Sequence, residues 1–208
     1  AFLSIETIHR FENIFQPYGL DKGAIFSGYG LTEASAWVSG YRRAAEIKTL
    51  KKEQLNHESC SKYQHIELNN DFVSSGSWPA DLSSIIIVDP DSCHELSEKN
   101  IGEIWIKNDA VAKGYWNNPM ATEEVFSGYT SVGDGPFLKT GDLGFVADSE
   151  LYIVERIKDL IIIRGKNYIP NDVEQEVYKA DRRLSLPVIA FSFFDGSDER
   201  LVIAIELT

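Results

Sequence analysis

The sequence predicts an α+β chain: a β-rich body followed by a small unit of strand, helix, strand and strand. Three observations predict it. The 208 residues are 43% hydrophobic and 12% aromatic, enough for one sizeable core or two small ones. The middle of the chain carries apolar runs such as "SIIIVD" and "GEIWIKN", separated by turn-forming residues. Roughly the last fifty residues instead place one amphipathic helix among strands, and the change falls within "YIVERIKDLIIIRGKNYIPNDVE", near Lys158.

Each element follows from its residues. Ser4 suits the cap of a helix with the apolar face Ile5, Ile8, Phe11 and Phe15, ending at Pro17-Tyr18-Gly19. A short strand is expected at Ala24–Ser27, before the glycine-punctuated turn "GYGLTEAS". Arg42 to Asn70 is rich in Lys, Glu, Gln, His and Asn with little periodicity, and predicts a surface excursion. "SIIIVD" (Ser84–Asp89) is a buried strand closed by a Pro-Asp turn. "GEIWIKN" alternates, with Ile104 and Ile106 on one face and Trp105 on the other. After "GYWNNP", the segments "FLKTGDLGFV" and "ELYIVERI" predict two strands joined near Asp148-Ser149. "LIIIRG" leads to a helix carrying Val173 and Val177, with Asn171 and Glu174 spaced as a capping box. Pro187–Phe194 and Leu201–Leu207 are strands flanking the turn "DGSDE".

Charge and cysteine usage narrow the function. A net charge of −12 argues against a nucleic-acid binder, which needs a basic stripe to displace counterions from phosphates. It leaves room for a nucleotide ligand, because a small anionic site needs only a few local cations and oriented N–H groups. Arg156–Arg183 is locally basic, with seven Arg and Lys against five Asp and Glu. Cys60 and Cys93 are too few for a disulfide scaffold, so free thiols in a reducing cytosol are expected. No apolar run reaches a membrane span. The start at Ala1-Phe2 reads as a fragment of a longer chain.

Three stretches carry chemistry. In "YGLTE" (Tyr29–Glu33) an aromatic ring can stack on a base and Gly30 permits close backbone approach. Thr32 offers a hydroxyl to a phosphate oxygen, and Glu33 a carboxylate to Mg²⁺, a hard cation that prefers oxygen ligands. In "KTGDLG" (Lys139–Gly144), Asp142 between two glycines is suited to accept hydrogen bonds from vicinal hydroxyls such as those of a ribose. Arg156 brings a fixed charge and a fork of donors to the same ribose or to a phosphate. Each has an ordinary alternative: a Tyr-Gly turn before a helix start, a strand-connecting Asp-Gly turn, a solvated surface charge.

Their combination removes that ambiguity. The order "GYGLTEAS", "GEIWIKNDAVAKGYWNNP", "FLKTGDLG", "ERIKDLIIIRGKNYIPNDVE" resembles the adenylate-forming superfamily of acyl-CoA synthetases, peptide-synthetase adenylation domains and luciferases. The resemblance implies that residues 1–157 are the β-rich last part of a large adenylating domain. Residues from 158 would then begin a small α+β lid domain, with Lys158 as its hinge. It implies that Tyr29, Gly30, Thr32, Asp142 and Arg156 contact ATP or AMP, that Thr32 and Glu33 are catalytic, and that Glu33 holds Mg²⁺.

Within the superfamily the likeness is greatest to the fatty acyl-AMP ligases. "IVDPDSCHELSEKNIGEIWIKNDAVAKGYWNNP" is similar to their strand–turn–strand signature, and the excursion at 42–70 lies where they carry an insertion that restrains domain rotation. The implied activity is formation of an acyl-adenylate and pyrophosphate from a fatty acid and ATP, in the cytoplasm, followed by transfer to an acyl carrier protein or a polyketide or peptide synthase carrier domain. Contacts from Tyr63, Ile66 or Leu68 would brace the two domains. Two departures stand out: Thr32 where these ligases often have alanine, and Glu155 where glycine commonly precedes the arginine. The superfamily's upstream phosphate loop and late C-terminal lysine are missing, so the 208 residues alone would be inactive. An acyl-CoA synthetase, or a non-catalytic relative with a regulatory or lipid-sensing role, is the alternative.

Overall fold

The computed structural model describes residues 5–21, 23–41, 47–56, 63, 66–67, 71–180 and 187–206. The chain begins with helix α1 (Ile5–Phe15), followed by the short strands β1 (Gly28–Tyr29), β2 (Ser39–Gly40), β3 (Thr49–Leu50), β4 (Ile66–Glu67) and β5 (Phe72–Val73). Longer elements come next: β6 (Ser83–Asp89), the short β7 (His94–Glu95), β8 (Gly102–Asn108), helix α2 (Pro119–Phe126), β9 (Leu138–Ala147) and β10 (Glu150–Arg156). The chain continues with β11 (Ile161–Ile163), β12 (Lys166–Tyr168), helix α3 (Pro170–Ala180), β13 (Val188–Phe194) and β14 (Glu199–Ile205). The result is the mixed α+β architecture expected.

The body is a five-stranded antiparallel sheet in the order β10-β9-β8-β6-β7. Its strands bury both faces, which is why they read as dense apolar runs. Ile104 and Ile106 of β8 join Ile85, Ile87, Leu138 and Leu151 on one face. Trp105 points the other way, against Val88 and Phe137. The β9–β10 hairpin turns at Asp148 and Ser149, with φ of 50° and 60°, the paired positive φ values of a tight two-residue turn.

A second core cluster ties three parts of the sequence together. Phe145 stacks on Tyr152 at 4.9 Å and meets Phe72 edge-on at 5.1 Å. Around them pack Leu50, Leu55, Tyr63 and Ile66 from the excursion, and Leu160 and Ile169 from beyond Lys158. Strand β4 also pairs in parallel with β12, Asn167 opposite Ile66 and Tyr168 opposite Glu67, completing the three-stranded sheet β11-β12-β4.

Several expectations need correction. The first strand is Gly28–Tyr29, not Ala24–Ser27: pairing starts at Gly28 opposite Gly40, while the Ser27 hydroxyl donates to the Ser74 carbonyl. The excursion is not purely superficial, since Leu50, Leu55, Tyr63 and Ile66 are all buried. Its two-residue strands are too short to show a period. Leu68 lies outside the described residues, as do Ser4 and Leu207. On α1 only Ile8 of the expected face is fully buried among the described residues, Phe11 and Phe15 being 46% and 42% exposed. Helix α3 has no capping box at Asn171: it starts at Pro170, whose missing N–H leaves nothing unsatisfied at a helix start. The Glu174 carboxylate accepts instead from the Ala190 N–H at 2.9 Å, joining α3 to β13.

Phe145 is completely buried, so Phe145→Ala should destabilise the fold by about 3–5 kcal/mol in urea unfolding. Val132→Ala, at a side chain 85% exposed, should change stability by less than about 0.5 kcal/mol. Equal losses would contradict the core assignment.

Candidate active site

The site is built on an irregularity in β9. Glu103 pairs with Leu143 and Trp105 with Lys139, so β9 takes four steps where β8 takes two. The Thr-Gly-Asp stretch is therefore a two-residue bulge inside the one long strand that "FLKTGDLGFV" predicts. Gly141, at φ 71°, supplies a left-handed conformation that costs other residues energy. Thr140 Oγ1 donates to the Ile104 carbonyl at 2.7 Å and accepts from the Asp142 N–H at 3.1 Å. The buried Glu103 carboxylate fills the remaining gap, accepting from the Gly141 N–H at 2.8 Å and from the Trp105 indole N–H at 2.8 Å.

Asp142, 7% exposed, projects from that bulge. Tyr29 donates its hydroxyl to Asp142 Oδ2 at 2.6 Å, and Arg156 Nε lies 3.2 Å from Oδ1. Arg156 arrives there because it pairs with Asp142 across the β9–β10 ladder, just past a register shift between Ile153 and Glu155. Burial, and then the neighbouring Asp142 charge, push the Tyr29 phenol well above its ordinary range, so Tyr29 acts as a donor. The Arg156 side chain is 57% exposed, so the ion pair is solvent-screened and contributes little to stability. Its donors remain available to a ligand.

The Tyr29–Glu33 loop folds back on itself. A Cβ on Gly30 would sit 1.7 Å from the Ala36 carbonyl, so the close approach this glycine permits is to its own chain. Ser35 and Ala36 carry φ of 56° and 71°, sparsely populated conformations for residues with side chains. Thr32 opens a single 3-10 turn and is exposed; Glu33 follows it. Tyr115 donates to Glu33 Oε1 at 2.6 Å. That bond holds the Glu33 carboxyl below its ordinary range and pushes the Tyr115 phenol up to about 12.

Two clefts flank the loop. One of about 410 Å³ is lined by Phe26, Tyr29, Gly30, Ser75, Asp142 and Arg156. The other, about 490 Å³, is lined by Glu33, Tyr115, Lys139, Thr140 and Gly141 among others. Tyr29, Gly30, Asp142 and Arg156 are thus brought together, with Glu33 on the far side of their loop. Lys158 is not among them. It is exposed in the 3-10 turn Ile157–Asp159 and lines a separate cleft with Asn171 and Glu174. Glu155 borders the Asp142 cleft and the Lys158 cleft; its carboxylate accepts from the Arg156 N–H at 2.9 Å, and burial raises its pKa. Sequence reasoning missed Glu103 and Tyr115. Both lie inside quoted motifs: "GEIWIKN", read only for its strand pattern, and "GYWNNP", to which no element was assigned.

The bulge thus sets Asp142 against Tyr29 of the Tyr-Gly-Leu-Thr-Glu loop. Residues 1–116 match the AMP-binding enzyme family, and the chain belongs to that family. It is 36% identical over 208 residues to the medium-chain fatty acid–acyl-carrier-protein ligase JamA of Moorena producens (strain JHB), covering 97% of this chain and 35% of the relative. It is 34% identical over 212 residues to the 4-hydroxyphenylalkanoate adenylyltransferase of Mycobacterium tuberculosis (strain ATCC 25618 / H37Rv), covering 99% and 33%. Among solved structures, it resembles the fatty acyl-adenylate ligase from L. pneumophila in complex with acyl adenylate and pyrophosphate. There the TM-score is 0.67 and the identity 33%, over 99% of this chain and 36% of that one. The chain spans about a third of the length of the curated relatives it matches. Among the described residues, no helix is long and apolar enough to cross a membrane.

Tyr115→Phe removes the donor that favours the ionised form of Glu33. The Glu33 carboxyl should then titrate at higher pH, as followed by NMR. An unchanged titration would show that the Tyr115–Glu33 bond is not made in solution.

Proposed function

We propose that the chain is part of a fatty acyl-AMP ligase. In that reaction a fatty-acid carboxylate attacks the α-phosphorus of ATP, giving an acyl-adenylate and pyrophosphate. A carrier-protein thiol then attacks the acyl carbonyl, forming a thioester and releasing AMP. The observation that carries the proposal is the Asp142 carboxylate, held between Tyr29 and Arg156 in a cleft whose volume suits a small molecule.

Each residue then has a task. A carboxylate offers about four lone-pair sites, and Tyr29 and Arg156 occupy only two of those on Asp142, leaving acceptors for the ribose hydroxyls. Arg156 adds donors to the same ribose. Gly30 and the ring of Tyr29 line the wall against which the adenine would lie. Thr32, exposed beside Glu33, donates to a phosphate oxygen. Glu33 is the residue that would hold Mg²⁺, and it fits: this ion binds through one or two carboxylates plus substrate phosphates and water. When bound, the ion neutralises charge on the phosphates. Holding the reactants in line and stabilising charge on the phosphoryl group are the chain's contributions to rate.

Acceptor choice rests on the excursion. We infer that residues 42–70 hold the part beginning at the Lys158 hinge against the body, favouring a carrier protein over coenzyme A. The parallel pairing of β4 with β12 supports this, as does the burial of Tyr63 and Ile66 with Leu160 and Ile169. Each such side chain contributes roughly 1.5–3 kcal/mol on burial. A shift of about 2.7 kcal/mol between two lid positions changes their ratio about a hundredfold. We infer a cytosolic setting, which sparse cysteine usage and the free Cys93 thiol support.

Deleting residues 42–70 from the full-length enzyme tests this directly. Acyl-AMP formation should persist while coenzyme A becomes a usable acceptor, measured as acyl-CoA product. An intact enzyme that already makes acyl-CoA efficiently would replace the ligase by an acyl-CoA synthetase.

A further inference from the structure

Another buried carboxylate lies at the other end of β10 from Arg156. Glu150 is 7% exposed and immediately follows the hairpin turn. Its Oε1 is 2.7 Å from Lys48 Nζ, and its Oε2 accepts from Tyr41 OH at 2.8 Å and Ser74 Oγ at 2.5 Å. An ionised carboxylate out of water is costly unless donors surround it, and three do so here. Burial opposes its charge, yet those donors hold its carboxyl below the ordinary range.

The three donors come from the two ends of the excursion. Tyr41 and Lys48 bracket residues 42–46, and Ser74 stands where the chain returns to the body. The return is latched at the same place. The Ser74 N–H donates to the Lys48 carbonyl at 2.9 Å, the Ser75 N–H to the Leu151 carbonyl at 2.7 Å, and the Leu151 N–H to the Gly76 carbonyl at 2.9 Å. Beyond this knot, β3 pairs with β5 through Leu50 opposite Phe72. One carboxylate therefore joins the departing and returning segments to the strand that ends at Arg156.

We propose that Glu150 is a positioning residue for acceptor selection: its carboxylate fixes the base of the excursion and so sets the angle at which β4 reaches β12. The proposal rests on the reading of residues 42–70 as a brace. It assigns Glu150 no contact with nucleotide, substrate or magnesium. A purely structural role would lower all activities together. A positioning role moves the partition between acceptors while adenylation stays in place.

The test uses the full-length enzyme with ATP, a medium-chain fatty acid, and carrier protein or coenzyme A as acceptor. Glu150→Gln removes the charge that pairs with Lys48 while keeping the volume. Acyl-AMP formation should stay within about twofold, while the ratio of acyl-CoA to acyl-carrier product rises at least tenfold, toward that of the 42–70 deletion. Amide exchange across residues 47–56 should accelerate, with β9 unchanged. If Glu150→Gln does not fold, the double variant Tyr41→Phe/Lys48→Met, which leaves Glu150 and Ser74 in place, should give the same shift. A deletion that admits coenzyme A beside a Glu150 variant, or the double variant, that does not would overturn this inference and leave the brace standing. Equal loss of adenylation and transfer would make Glu150 merely structural. If the deletion itself leaves acceptor choice unchanged, the brace falls, and this inference with it.

Discussion

The Glu103 carboxylate spans the gap that the β9 bulge opens, one oxygen on the Gly141 N–H and the other on the Trp105 indole. Without it the buried Trp105 indole N–H would be left unpaired, at a cost of about 1–3 kcal/mol. The insertion amounts to two residues, an even number, so the pleat's alternation survives it. Leu138 before the bulge and Leu143 after it still serve opposite faces of the core. Asp142, paired with Arg156 on β10 but skipped by the β8 ladder, turns toward Tyr29. Everything that distinguishes this sheet from an ordinary meander depends on that arrangement: the aspartate's place, its pairing with Arg156, and the two clefts beside the Thr-Glu loop.

The long strands were legible because each carries enough β-branched residues to show a pattern. Ile85–Ile87 and Ile104–Ile106 lie where their runs predict, with Trp105 on the opposite face. The Asp148-Ser149 turn was legible from the break between two apolar runs. What could not be read falls into two kinds. Strands of two residues, such as β4 and β5, have no period. Their pairings with β12 and β3 are set by distant packing on Phe145 and Tyr152. Long-range polar bonds leave no spacing signal at all: Tyr115 meets Glu33 across 82 positions, and Tyr41 meets Glu150 across 109.

The candidate site was half legible. Asp142, Arg156 and Tyr29 were named from their motifs, and the structure brings their polar atoms within 3.2 Å. Gly30 also carries a constraint that its motif did not reveal, since the Ala36 carbonyl excludes a Cβ there. Lys158 stands apart from the Asp142 cleft, exposed in the 3-10 turn that follows β10. The large cluster around Phe145 holds side chains from the excursion, from the strands of the body and from beyond Lys158, up to Ile169.

The central claim is that Asp142 reads the ribose, and a binding cycle tests it most directly. AMP and 2′-deoxy-AMP would be titrated calorimetrically into the full-length enzyme and into its Asp142→Ala variant. A hydrogen bond to a carboxylate is worth about 1.5–3 kcal/mol, so removing the 2′-hydroxyl should weaken binding to the unaltered enzyme roughly 10- to 150-fold. In Asp142→Ala the same change should matter less than about threefold, because the acceptor is already gone. Equal penalties in the two proteins would show that Asp142 does not touch the ribose, and the assignment of the cleft would fail.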